Sequence, residues 1–189
     1  MRHMLASILV GATVLVTNAC GDSPTSPSSD SRFVLRLSAS AYGLTPAVLV
    51  TFSRVRVLSS SGTARDVPLL GGATQFTCDL QRLQASDGEI AVGALAPGDY
   101  GEVRLQIQSA TLYLDNTSDT ACAANFRIPG GRSVPMSVAP SEVSLNRTFR
   151  HEADSDTAMR IALNSEQTIR AAGGGSYTFQ PVLTVLSVN

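Results

Sequence analysis

Apolar residues recur at every second position through most of residues 32–189. That spacing puts them on one face of an extended strand and excludes a bundle of helices. Phe33, Leu35 and Leu37 alternate with Arg32 and Arg36. Between 48 and 58, Val48, Val50 and Phe52 share one phase and Val55 and Val57 the other. A phase change inside a strand is what a β-bulge produces, and Ser53-Arg54 is its expected place. The run from Gly101 repeats the device: Val103, Leu105 and Ile107 give way to Ala110, Leu112 and Leu114. A strand this long, bent near Gln108-Ser109, is expected to serve both sheets of a sandwich. Ala96-Pro97-Gly98-Asp99 reads as a hairpin turn. Further strands are expected at 65–70, 89–95, 124–129, 143–149, 157–163 and 177–187. Helix is confined to a turn at 79–83 with Asp79 as its N-cap, and to 165–172, stopped by Gly173-Gly174-Gly175. The expectation is one all-β domain over 32–189, an antiparallel β-sandwich with one or two short helical turns.

The first thirty residues follow different rules. Met1-Arg2-His3 is a short basic start, and Leu5–Val16 is an apolar stretch of 12 residues. As a helix it would reach about 18 Å, short of the roughly 30 Å hydrocarbon core. Residues 1–19 therefore read as a secretory signal peptide. Ala19-Cys20 resembles a lipobox, which would make Cys20 the acylated N-terminus. Ordinary cleavage after Ala19 is the alternative, because Thr17 and Ala19 also satisfy a small-x-small site. The chain has three cysteines, and lipidation of Cys20 leaves an even pair for an oxidising compartment. Residues 20–31 then form a lipidated Cys and a Ser/Pro-rich tether, expected to be flexible, that holds the domain at the membrane. Cys78 and Cys122 are the expected disulfide, whose loop of about 45 residues corresponds to about 4 kcal/mol in the chain-entropy estimate.

Composition removes several chemistries. All 14 basic residues are arginine, and the chain has no lysine and no tryptophan. Without lysine there is no P-loop, no Schiff base and no Ser-Lys dyad. A net charge of −1 offers no electrostatic basis for nucleic-acid binding. No Gly-x-Ser-x-Gly elbow and no His-Glu-x-x-His occurs. Once the signal is gone, His151 is the only histidine, so a hydrolase would have to be built around it. It stands in Arg-His-Glu-Ala-Asp-Ser-Asp (150–156), a polar run suited to a hairpin loop. His151, Glu152, Asp154 and Asp156 are the candidate metal ligands there, against the simpler reading of a solvated loop. Asp115, Asn116 and Asp119 form a second oxygen-rich loop before Cys122. With Tyr42 they are the candidate ligand-binding residues of a carbohydrate-binding module, a reading weakened by the scarcity of aromatics.

Four segments together carry a resemblance: Val50-Thr-Phe-Ser-Arg-Val-Arg-Val57, Cys78-Asp-Leu-x-x-Leu83, Leu95-Ala-Pro-Gly-Asp-Tyr-x-x-Val-Arg-Leu105 and Tyr177-Thr-Phe-Gln-Pro-Val-Leu-Thr-Val185. In this order they resemble a family of bacterial and archaeal secreted lipoproteins known only as a domain of unknown function. The likeness spans about 33–188, and the Pro-Gly-x-Tyr-x-x-Val-Arg-Leu element is its most specific piece. It implies a β-sandwich of the immunoglobulin or prealbumin type and carries no reaction or cofactor. Ala162 and Asn164 stand where that family often carries aspartates. The functional expectation is a non-catalytic, lipid-anchored envelope protein acting as a binding or structural module. Its partners would be the membrane, through the N-terminal lipid, and a protein or glycan. Pro181 and the first strand (32–38) mark the candidate open sheet edges.

Overall fold

The computed structural model describes residues 31–84 and 86–189. The expected signal peptide, the expected lipidation site Cys20 and the expected tether up to residue 30 lie outside the described residues. The fold is an all-β sandwich of two sheets, as the alternation predicts. The smaller sheet has the order β13 (Leu183–Val188), β10 (Thr157–Leu163), β1 (Ser31–Ala39), β5 (Gly88–Leu95). The larger has the order β11 (Ile169–Gly173), β12 (Ser176–Phe179), β8 (Ser133–Val138), β6 (Gly98–Tyr113), β2 (Ala47–Ser59), β4 (Phe76–Asp79), β7 (Cys122–Ala123). Two further strands join it: β3 (Ala64–Val67) on β2 and β9 (Glu142–His151) on β6. Both sheets are mixed, with β1 parallel to β10 and β12 parallel to β8.

The two phase changes are paired bulges. Thr51 faces Ser109, Phe52 faces Ile107 and Arg54 faces Gln106, so Gln108 and Ser53 are each left over. The bulges keep Val48, Val50 and Phe52, then Val55 and Val57, in the same core as Val103, Leu105, Ile107, Ala110 and Leu112. They also mark a change of neighbours. Before its bulge β2 pairs with β4 and after it with β3; β6 pairs with β9 first and with β8 later. Neither strand crosses to the other sheet. The bends expected to join the layers instead let one long pair serve four short strands.

The layers are joined at turns that look like hairpins in the sequence. β5 belongs to the smaller sheet and β6 to the larger, so Ala96–Asp99 is a crossover between sheets. Tyr100 braces it, its hydroxyl donating to Ala96 O at 2.7 Å, the device of a tyrosine corner. Residues 152–156 cross from β9 to β10 in the same way. β1 is a central strand between β10 and β5, so it is not an open edge.

Other differences have local causes. Residues 124–129 form no strand, because Phe126 leaves the chain direction to pack on Ala47, Leu49 and Tyr113. The strand lies instead at β8, where Val134, Met136 and Val138 alternate and Pro135 interrupts the signal. Helix α1 is only Ser165–Thr168, capped by Asn164, whose side chain accepts from Gln167 N at 3.1 Å. Ile169–Gly173 then continues as strand β11. Pro181 separates β12 from β13, so 177–187 is two strands in different sheets. No described helix is long and apolar enough to cross a membrane.

Candidate functional site

The strand directions give the sandwich two unlike ends. Ser31 opens β1 beside Leu95, and the Ala96–Asp99 crossover, the β2–β3 turn and the 152–156 crossover lie at this same end. The β1–β2 connection (40–46), the segment 80–87, the excursion 114–132 and α1 lie at the other.

His151 sits at the Ser31 end and is fully buried. The Ser31 hydroxyl donates to Glu152 O at 2.5 Å, and a carbonyl can only accept. The contact between His151 Nε2 and Ser31 Oγ at 2.9 Å therefore has the imidazole as donor. The neutral ring then carries its lone pair on Nδ1, where Thr157 Oγ1 donates at 2.7 Å. The ring and the Thr157 hydroxyl are both buried, so this pair lies away from solvent. The other metal candidates do not join His151. Asp156 is forked by Arg32 and also accepts from the Arg32 backbone N–H at 2.8 Å. These two bonds, the backbone one first, hold its carboxyl below the usual carboxylate range. Glu152 pairs with Arg150 at 2.7 Å, and Asp154 is exposed in the turn. Among the described residues no three His, Cys, Asp or Glu side chains converge as metal ligands do.

At the far end the oxygen-rich run is one limb of a closed excursion. Its neck is clasped where Leu114 N–H donates to Arg132 O at 3.0 Å and Asp115 accepts from Arg132 N–H at 2.6 Å. The Arg132 guanidinium completes the clasp at 2.9 Å, and it draws the Asp115 carboxyl below its ordinary value. Asn116 reaches across to Gly130 O at 3.0 Å, and Asp119 faces Arg127 at 3.7 Å. Gly131 has φ +90°, and a Cβ there would lie 2.8 Å from the Asp115 Cβ, so only glycine lets the limbs close. Cys122 in the middle is bonded to Cys78, its direct neighbour on β4. Cys78 thus belongs to a strand rather than to the helical turn. Short necks and internal packing make 114–132 an Ω-like loop, a type of segment often functional.

Asp79 ties this loop to the β1–β2 connection. It is fully buried and accepts from Val48 N at 3.0 Å, Gln81 N at 3.0 Å and the Ser118 hydroxyl at 2.5 Å. Gln81 in turn donates to Tyr42 O at 2.9 Å and Thr45 O at 2.8 Å, and Arg82 donates to Ser118 O. The expected capping role of Asp79 is met through Gln81, one turn before the 3-10 turn Arg82–Gln84. Its two other partners lie 31 and 39 positions away, beyond any local signal.

Tyr42 is half-buried at this end, with burial first and the nearby Tyr177 second raising its hydroxyl above the ordinary tyrosine range. Tyr113 and Tyr100 are buried. Among the described residues Tyr42, Phe126, Phe149 and Tyr177 are the partly exposed rings, and no tyrosine or phenylalanine is more exposed than these. The loop encloses a cleft of about 180 Å³ lined by Thr117, Ser118, Asp119, Arg127, Ile128 and Pro129, with Gly130 closing it. Leu44 projects fully from the β1–β2 connection, and Leu114 and Ile128 are exposed on the loop. These are three of the four exposed large hydrophobics among the described residues, and the fourth is Leu186 on β13.

No match is found among curated proteins or among solved structures. A family model, described as a domain of unknown function (DUF4382), matches residues 31–181, from the start of β1 to the break before β13. The sandwich, its crossovers and the clasped loop are therefore those of a chain that belongs to the DUF4382 family.

Proposed function

We propose that the protein is a non-catalytic binding module, held to the bacterial envelope by lipid on Cys20 and presenting its far end to a protein partner. The observation that carries this reading is the polarity of the sandwich. The chain enters at Ser31, while the clasped loop and most of the exposed aliphatic side chains collect at the opposite end. Exposed apolar side chains at one end of a sandwich, with Asp119 and Arg127 beside Ile128, suit contact with another macromolecule. The burial of His151 together with its partner Thr157 supports a structural role for that residue and so the non-catalytic reading. The lack of a fully exposed tyrosine or phenylalanine among the described residues favours a protein over a glycan.

Expression with the native leader in a bacterial host tests the anchor. The mature chain should begin at Cys20, carry acyl chains by intact mass and fractionate with membranes, while Cys20→Ser should be released. An unlipidated, soluble wild-type chain would overturn the anchor. A photocrosslinking residue at Leu44 or Ile128 should give protein adducts in cells that one at Thr63, at the tethered end, does not. Equal adducts at both ends, or none, would overturn the assignment of the binding end.

A further inference from the structure

We propose that β13 is a self-association edge, through which two copies of this chain pair antiparallel and join their smaller sheets. This goes beyond the binding module above and does not depend on its anchor or its far end. β13 pairs with β10 and with no other described strand. Residues 182–189, Val-Leu-Thr-Val-Leu-Ser-Val-Asn, contain no charged side chain and no proline. The other edges are guarded. On β5, Val92 N–H donates to Pro68 O at 3.0 Å, and the Pro68 ring sits so close to Gly93 that a Cβ there would approach to 2.6 Å. In the larger sheet, β9 carries Arg147 and Arg150, β11 carries Arg170, and β3 carries Arg65 and Asp66. β7 has only two residues. Natural sheets blunt edges with charge, proline or shortness, and β13, whose neighbours are β10 in its own sheet and β9 of the facing sheet, has none of the three.

The hydrogen-bond phase says which part of the edge is available. Asn164 N–H donates to Val182 O at 3.0 Å, so Val182 and, by alternation, Thr184 direct their backbone groups toward β10. Leu183 and Val185 direct theirs outward. Leu186 is an unpaired bulge residue, since Ser187 faces Arg160 and Val185 faces Ile161. The bulge limits a clean ladder to the segment before it. A two-fold axis through Thr184 satisfies that limit: Leu183 of one copy faces Val185 of the other, and the two threonines meet on the axis. That pairing forms four backbone hydrogen bonds, with the half-buried Leu183 and Val185 side chains left on their own cores.

A second copy fits better than an arbitrary strand because the axis sets the edge against itself. Any charge on it would meet its own like, and the edge has none. The two sandwiches are then inverted, with their Ser31 ends at opposite poles. One membrane can still hold both. The eleven Cα steps from Cys20 to Ser31 extend to at most roughly 36–40 Å. The nine residues of β1 rise only about 30 Å.

The test is sedimentation of the full exported chain carrying Cys20→Ser, which removes the unpaired thiol as a source of covalent dimers. The chain should be a concentration-dependent dimer. Thr184→Lys places two like charges on the axis, and Val185→Pro removes an outward donor without touching the β10 ladder. Each should weaken dimerisation by at least about tenfold while leaving the circular dichroism spectrum unchanged. A chain that stays monomeric at all concentrations, or a dimer indifferent to both substitutions, overturns the proposal.

Discussion

Asp79 and His151 are polar residues that the fold encloses completely, and each is hydrogen-bonded to segments distant in the sequence. Replacing Asp79 with alanine would leave the backbone donors of Val48 and Gln81 without their acceptor and leave the Ser118 hydroxyl only Thr120 O. A buried donor left unpaired costs about 1–3 kcal/mol, so Asp79→Ala should lower unfolding stability by about 2–4 kcal/mol in urea titration. A loss under about 0.5 kcal/mol, the size of an ordinary surface substitution, would show that water replaces the carboxylate there. For Asp79 the local part of the role is legible, because an acidic residue opening a turn is a capping signal. For His151 nothing in the sequence points inward. Its neighbours Arg150, Glu152 and Asp154 are exposed, and Ser31 lies 120 positions away. A histidine among carboxylates reads as a ligand cluster until the strand phase turns its ring into the core.

At the scale of elements, strand existence was legible wherever alternation ran uninterrupted, and both bulges fell where the apolar phase changed. What alternation does not specify is the neighbour. Residues 95–100 and 150–157 look like hairpins and are crossovers, because a turn between two strands is equally short in either case. The oxygen-rich loop before Cys122 is a loop as expected, whereas the strand expected at 124–129 is the second limb of the same excursion. Ala124, Phe126 and Ile128 alternate as a strand would, yet the clasp of Asp115 and Arg132 and the bond from Cys122 make the segment a loop. Two predictions belong to this element. Cys78→Ala with Cys122→Ala should cost up to about 4 kcal/mol by the chain-entropy estimate, and amide exchange should rise through 114–132 before it rises in β2 and β6. Gly131→Ala forces a left-handed φ on a Cβ that meets Asp115, so it should destabilise by about 1–3 kcal/mol. Unchanged thermal melting of Gly131→Ala would mean the two limbs do not close on one another as described.

The whole molecule is governed by a choice visible in the composition, arginine in place of lysine throughout. The outer face of the larger sheet is laced by pairs of Arg54 with Asp66, Arg104 with Glu102, and Arg56 with Glu142. Arg32 with Asp156 and Arg132 with Asp115 close the two ends. Their arginine partners, chiefly by hydrogen bonding, hold Asp66, Glu102, Asp115 and Asp156 below the usual carboxylate range. A folded-state pKa below the unfolded one adds stability that is complete above the unfolded value and disappears as pH falls through the folded one. The acid limit of stability should therefore lie below the ordinary carboxylate range. High salt should move it back toward that range, because screening weakens exposed pairs. On the alkaline side, lysine pairs would begin to fail near pH ~10.4, whereas arginine stays charged beyond ~12. Tyr42 and Tyr113 act there, their hydroxyls pushed by burial above the tyrosine range. Their raised folded values mean that stability is intact below the unfolded tyrosine pKa and declines as pH rises toward the folded one. Thermal melting against pH should give a broad plateau, with an alkaline shoulder that Tyr113→Phe reduces and an acid shoulder that Asp115→Asn reduces. A decline starting well below the tyrosine range, or an alkaline shoulder untouched by Tyr113→Phe, would mean that some other group sets the upper limit.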